Sequence, residues 1–316
     1  MARVFYDTAE ALIYDPIAAN RNGTRSALYA AGFRKIESAS TLETFNEHIM
    51  RRPPDLAICE SQGVENELCQ SIQSLRQGLL AYNPFIVIIV TAWENTNSLV
   101  TRVLNSGADD LLLRPFSTTT LETRIRTQVE RRKGFVITSD YIGPDRRRDK
   151  TRPSVVDLYH PPNSLNMRAM ERITADEAAQ RLDAELKVAR KFLTGRKLHR
   201  DAFQVCVLWR LIQKSAVGHN PCGADLAKLR EVTKAVARRA RETEFEIAIT
   251  WCDSILSALE GVELGVDRNA SMHLLGHAAL KLNAVFTPGK TQEEALAELD
   301  ATVSMIQSRN EAQLAS

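Results

Sequence analysis

Phe85-Ile-Val-Ile-Ile-Val90 decides how the first half of the chain is read. All six residues are apolar and five are β-branched, with no polar alternation. That pattern predicts a strand covered on both faces, the central strand of a parallel sheet. Outward from it, short apolar runs alternate with longer amphipathic segments, the pattern of strand, crossover helix and parallel strand. Ala11-Leu-Ile-Tyr14 predicts the first strand, Phe33 to Glu37 an edge strand, Leu56-Ala-Ile-Cys59 a buried third and Asp110-Leu-Leu-Leu113 the fifth. The intervening helices are expected over residues 20–31, ended by Gly32, then from a capping box at Ser40-Thr-Leu-Glu43 to the stop at Pro53-Pro54. Three more are expected over 66–80, 97–105 and 119–132. The reading is a doubly wound α/β domain of five parallel strands over residues 1–133.

Open doubly wound sheets carry their sites in the crevice at the carboxyl ends of the strands, which selects Asp15, Glu60, Thr91 and Arg114. The segments around them are Leu-Ile-Tyr-Asp15, Pro54-Asp-Leu-Ala-Ile-Cys-Glu60, Ile-Ile-Val-Thr91-Ala and Gly107-Ala-Asp-Asp-Leu-Leu-Leu-Arg114-Pro-Phe. Together they resemble the receiver domain of bacterial two-component response regulators, over residues 9 to 132. The resemblance implies strand order 2-1-3-4-5. It also implies a pocket in which paired acids after the first strand hold Mg²⁺ and an aspartate after the third is phosphorylated. A Thr or Ser after the fourth strand bonds the phosphoryl group, and a lysine before a cis proline pairs with it.

The chain departs from that pattern where the chemistry would occur. Pro16 replaces one acid and leaves Asp15 alone, which weakens the oxygen set a hard Mg²⁺ ion requires. Glu60 stands at the phosphoacceptor position, displacing the nucleophilic oxygen by a methylene, and a misplacement of about 1 Å can slow transfer on the order of 10²-fold. Arg114 replaces the lysine, and Leu111 the aromatic switch residue before it. The expectation is a degenerate receiver. Glu60 either places a permanent negative charge where a phosphoryl oxygen would sit, paired by Arg114, or belongs to an ion cluster that merely satisfies buried charges. Thr91 otherwise caps or bonds backbone at its strand end.

Residues 134–172 contain Gly143-Pro-Asp145, Pro153 and Pro161-Pro162 and read as a basic, extended linker. Between Arg131 and Arg152, eight Lys/Arg face three Asp. Without aromatic interleaving, zinc-finger spacing or a helix-turn-helix pattern, this stretch reads as solvated rather than as a nucleic-acid site. Tyr141-Ile-Gly-Pro-Asp-Arg-Arg147 is similar to a segment that trails receivers in some alphaproteobacterial regulators, and is expected to pack back on the receiver or on a partner. Residues 173–316 change to a 3.6-residue period and predict an all-α bundle. Its helices are expected over Glu177–Leu193, opened by a Thr174/Glu177 capping box and ended by Gly195, and over Phe203–Ile212. Asp225–Leu259 reads as one helix or two, followed by Ala270–Val285 and Gln292–Ile306. The apolar Phe203–Ile212 face reads equally as bundle core or as a homodimer surface. His273 and His277 share a helix face at metal-pair or phosphotransfer spacing, but no third ligand or HExxH motif accompanies them, so helix packing is the reading.

Hydrophobic content of 44%, charged content of 25% and a net charge of +2 over 316 residues exclude a largely disordered chain and give no global pull toward nucleic acid. No run of about 18 apolar residues predicts a membrane span. The N-terminal residues do not read as a secretory leader, and the cysteines form no CxxC pair. Cys59, Cys69, Cys206, Cys222 and Cys252 therefore read as reduced buried thiols of a cytoplasmic protein. Walker, GxGxxG and GxSxG motifs are missing, which argues against an enzyme. The functional expectation is a phosphorylation-independent signalling module without cofactor, docking a protein partner through its helical domain. One alternative is an Mg²⁺-dependent phosphoaccepting regulator using Asp15 and Glu60. Another is a DNA-associated regulator using residues 131–152.

Overall fold

A computed structural model of the chain describes residues 4–138, 141–146, 158–171, 173, 175–215, 223–241, 243–265 and 267–314. It divides into two compact units, Met1–Arg190 and Lys191–Ser316. The five parallel strands are β1 (Glu10–Tyr14), β2 (Lys35–Ala39), β3 (Leu56–Glu60), β4 (Val87–Ala92) and β5 (Asp110–Leu113). Their order is β2-β1-β3-β4-β5. Between them run α1 (Ala18–Ala31), α2 (Leu42–Arg51), α3 (Glu65–Arg76) and α4 (Asn97–Ser106), and α5 (Thr118–Arg131) follows β5.

Every residue of β3 and β4 is buried, as the unbroken apolar runs require. Because successive side chains alternate across a strand, the sheet serves two cores. Ile13, Ile58 and Ile89 pack with Leu28, Leu121 and Ile125 on one face; Leu12, Ala57, Ile88 and Val90 pack with Phe45, Leu68 and Ile72 on the other. Each fully buried Ile or Leu contributes about 1.5–3 kcal/mol. β4 begins two residues later than its apolar run, with Phe85 and Ile86 buried on the approach. β2 is likewise displaced to Lys35–Ala39, while Phe33 stacks on Tyr6 at 4.7 Å. Thr41, not Ser40, caps α2: its hydroxyl accepts from the Thr44 amide at 3.2 Å.

The segment expected to be an extended linker is, in its described part, structured and packed on the sheet unit. A hairpin of β6 (Phe135–Ile137) and β7 (Ile142–Pro144) is followed by α6 (Ser164–Met170). The two compact units divide between Arg190 and Lys191, within a later helix. The hairpin seats directly on the turn after α4. A Cβ added to Gly143 would lie 2.7 Å from the Cα of Gly107, and one added to Gly107 (φ +94°) would lie 2.5 Å from the Ile142 carbonyl oxygen, so both positions need glycine. Leu165 and Ala169 of α6 enter the core, and Arg168 pairs with buried Asp55 at 3.0 Å.

Beneath the hairpin lies a charge cluster that no sequence pattern announced. Asp109 accepts from Arg76 at 2.8 Å and from Arg132 at 2.9 Å, and both guanidiniums also donate to the Ile86 carbonyl. The two arginines lie over the Phe135 ring, 5.3 and 5.0 Å from its centroid. Burial alone would raise the Asp109 pKa, yet Arg132 and Arg76 hold it below the usual carboxylate value; burial draws Arg76 down to about 10. Arg146 donates to the Ala108 and Asp109 carbonyls. Arg132 and Arg146 of the basic stretch are thus engaged within the chain. Arg147, Arg148, Lys150, Arg152 and Pro153 lie outside the described residues.

In the second half, the two helices expected over 177–193 and 203–212 are one, α7 (Ala175–Ser215), with Gly195 inside it. A helix-interior glycine is unfavourable by only about 0.5–1 kcal/mol relative to Ala, and the apolar stripes on either side outweigh it. Thr174 and Cys222 lie outside the described residues. Residues 225–259 resolve into α8 (Gly223–Ala240) and α9 (Ile247–Leu264), followed by α10 (Arg268–Phe286) and α11 (Gln292–Leu314). Val205, Cys206, Val207, Trp209 and Ile212 are buried in the core that these helices share, so the apolar face of α7 is bundle interior. Cys59, Cys69, Cys206 and Cys252 are buried and free, and burial pushes the Cys206 and Cys252 thiols up to about 12. Among the described residues, no helix is long and apolar enough to cross a membrane.

Candidate functional site

Asp15, Glu60, Thr91 and Arg114 converge at the carboxyl ends of β1, β3, β4 and β5. The register places Glu60 opposite Thr91. Asp15, Glu60 and Thr91 are at most 1% exposed, and the Arg114 side chain is 8% exposed. Arg114 bridges the two carboxylates: its Nε donates to Glu60 Oε2 at 2.7 Å and its Nη2 to Asp15 Oδ2 at 3.0 Å. The Thr91 hydroxyl donates to the same Glu60 Oε2 at 2.9 Å. Glu60 Oε1 accepts from the backbone amides of Ser61 and Gln62 at 3.0 and 3.1 Å. Asp15 Oδ1 accepts from the Ile17 amide at 2.8 Å, a turn closed across Pro16. The Arg114–Pro115 peptide bond is cis, and the guanidinium lies 4.9 Å from the centroid of the Phe116 ring.

That strand order, with these four residues at its carboxyl edge, decides the fold. The N-terminal unit is a receiver fold. No family model and no curated protein matches the sequence. Similar solved structures include an orphan response regulator of H. pylori (18% identity, 39% of this chain and 98% of that one, TM-score 0.34). A response regulator from Thermotoga maritima matches at 20% identity, covering 38% of this chain and 96% of that one, TM-score 0.34. The Vibrio cholerae chemotaxis protein CheY4 matches at 19% identity over 37% and 96%, TM-score 0.34. These likenesses lie in the receiver, and none extends over the helical unit.

Within the receiver, each carboxylate oxygen already has a donor: Ile17 N and Arg114 for Asp15, two backbone amides, Thr91 and Arg114 for Glu60. Two carboxylates share one guanidinium. A hard divalent cation wants several free oxygens in octahedral array and would have to displace Arg114 to find them. The residues present do not fit Mg²⁺. Sequence reasoning missed Thr24, whose hydroxyl accepts from Arg114 Nη2 at 3.2 Å, and the two amides after Glu60. A Thr on the sheet-facing side of α1, beside Ala27 and Leu28, was the available signal for the first.

Burial raises the Asp15 carboxyl above its usual value, against the Ile17 amide and Arg114, which lower it. Folded Asp15 therefore keeps its proton at pH values where the unfolded chain has lost it. Its contribution to stability is full below the unfolded pKa of 3.8 and is lost as pH rises through the higher folded value. Asp15→Asn, which keeps an acceptor for Ile17 and leaves Arg114 paired with Glu60, is expected to gain on the wild type as pH rises from about 4 to 7. Urea unfolding across that range measures the gap. A gap that is constant or shrinks with pH contradicts the assignment.

His273 and His277 lie on one face of α10, and His277 packs edge-on to Trp251 with ring centroids 5.9 Å apart. Among the described residues, no group of three His, Cys, Asp or Glu converges as a metal set. Leu111 is partly buried against the Ile88/Val90 core.

Proposed function

We propose that this chain is a non-enzymatic signal-transduction protein of response-regulator type whose receiver works without phosphorylation, as a module that binds a signalling protein. The observation that carries this reading is the saturation of the pocket by its own residues. Thr91 and Arg114 stand where the family's phosphoryl-binding groups stand, and both already bond to Glu60 Oε2. A phosphoryl group on an acceptor would offer those residues the same thing, an anionic oxygen, so the internal carboxylate holds the receiver in one arrangement. The cytoplasm is the compartment that fits such a role. The alternative reading as a phosphoacceptor requires Mg²⁺ to find oxygens that are already engaged.

Magnesium titration followed by amide NMR separates the two. Millimolar Mg²⁺ is expected to leave the amides of Asp15, Glu60, Ser61 and Arg114 in place. Saturable shifts confined to those amides would overturn the reading and restore a working acidic pocket.

A further inference from the structure

The structure leaves both His273 and His277 exposed on α10, where the sequence pattern points to residues packed between helices. α10 is a continuous helix from Arg268 to Phe286, so residues four apart stand one above the other, their Cβ atoms about 5–6 Å apart. At that spacing two imidazoles reach a single ion. Two histidines at i and i+4 bind Zn²⁺ from a helix face in this way.

The surroundings of the pair leave it free to do so. Both histidines line one open cavity of about 480 Å³ over α10, and so border the same solvent space. Among the described residues, neither imidazole is engaged in a hydrogen bond or an ion pair, so no nitrogen has to be released before it can bind. Trp251 packs edge-on to the His277 ring at 5.9 Å, which restricts that side chain in advance and lowers the entropy lost on binding. The Cys206 and Cys252 thiols of the same unit are buried, with pKa values pushed up to about 12, and supply no competing thiolate. One group opposes a cation: Lys281, exposed one turn beyond His277, also lines the cavity.

We propose that His273 and His277 form a bidentate site for a divalent transition-metal ion, Zn²⁺ above all, on the exposed face of α10. Neutral imidazole nitrogens suit Zn²⁺, Ni²⁺ and Cu²⁺, whereas Mg²⁺ and Ca²⁺ require oxygen. Among the described residues no third His, Cys, Asp or Glu joins the pair, so the remaining coordination positions belong to water. The helical unit then has a metal site of its own, chemically distinct from the receiver pocket.

The test is Zn²⁺ titration of the untagged full-length protein, followed by calorimetry and by the imidazole carbon–proton NMR spectrum. One saturable Zn²⁺ per chain is expected, with the His273 and His277 signals shifting together, each assigned by its loss in His273→Gln or His277→Gln. Either substitution should weaken the site at least about tenfold, the lower end of the loss seen even for groups that merely support a metal ligand. Lys281→Ala should tighten it about 2- to 5-fold, as expected for removing an exposed like charge. All three positions are exposed, so circular dichroism should find each variant folded like the wild type. No saturable site, a site that survives both glutamine variants, a loss confined to one of them, or weaker binding in Lys281→Ala would overturn the proposal.

Discussion

Asp109→Ala is expected to destabilise the N-terminal unit by about 3–5 kcal/mol, the range for removing one partner of a buried ion pair. Arg76 and Arg132, 1% and 5% exposed, would keep their charges and lose the carboxylate bonded to both. The Ile88 amide would also lose its acceptor at 2.8 Å. Since the same cluster supports Phe135 and the carbonyls that Arg146 reaches, the β6–β7 hairpin should lose hydrogen-exchange protection together with the sheet. Urea unfolding with an unchanged slope measures the loss. A loss below about 1 kcal/mol would mean that the cluster is solvated and contributes no more than a surface pair.

The second large effect belongs to the pocket. Arg114→Met leaves Asp15 and Glu60 buried at 0% and 1% exposure with no cation between them, again at about 3–5 kcal/mol near neutral pH. Its pH dependence distinguishes this cause from lost packing. Burial already raises the Asp15 carboxyl, and losing the guanidinium that lowers it raises it further, so the folded state holds more protons than the unfolded one and stability falls as pH rises through that window. The deficit should therefore shrink toward acid pH. A deficit that is the same at pH 4 and pH 7 would assign the loss to the stacking on Phe116 instead.

What the sequence made legible was what periodicity and strand-end position encode. The Phe85–Val90 run located the central strand and its flanks, and the carboxyl-edge rule brought together four residues up to ninety-nine positions apart. The bonds among them were one of two readings left open by residue identity, because a buried charge that mimics a ligand and one that merely satisfies its neighbours use the same side chains.

The Asp109 cluster was illegible for a different reason. Arg76 ends an amphipathic helix, where a cation reads as solvated, and three of its four partners are backbone carbonyls of Pro84, Ile86 and Gly107, which carry no side-chain signal. The three-residue strands of the hairpin are too short to show alternation, and the prolines around them favoured a linker reading. Gly195 misled in the opposite direction: a residue that often ends a helix sits inside one, because the stop at a glycine needs a chain that turns away and here the apolar stripe continues.

The central claim, that Glu60 already occupies the place of the phosphoryl group, is tested most directly by intact-mass analysis of the purified full-length protein after incubation with acetyl phosphate, with and without Mg²⁺. Asp15→Ala and Glu60→Ala serve as controls. The expected result is no phosphoryl adduct on the folded wild type under either condition. A stoichiometric, Mg²⁺-dependent adduct that disappears in either variant would contradict it and make this receiver a phosphorylation switch.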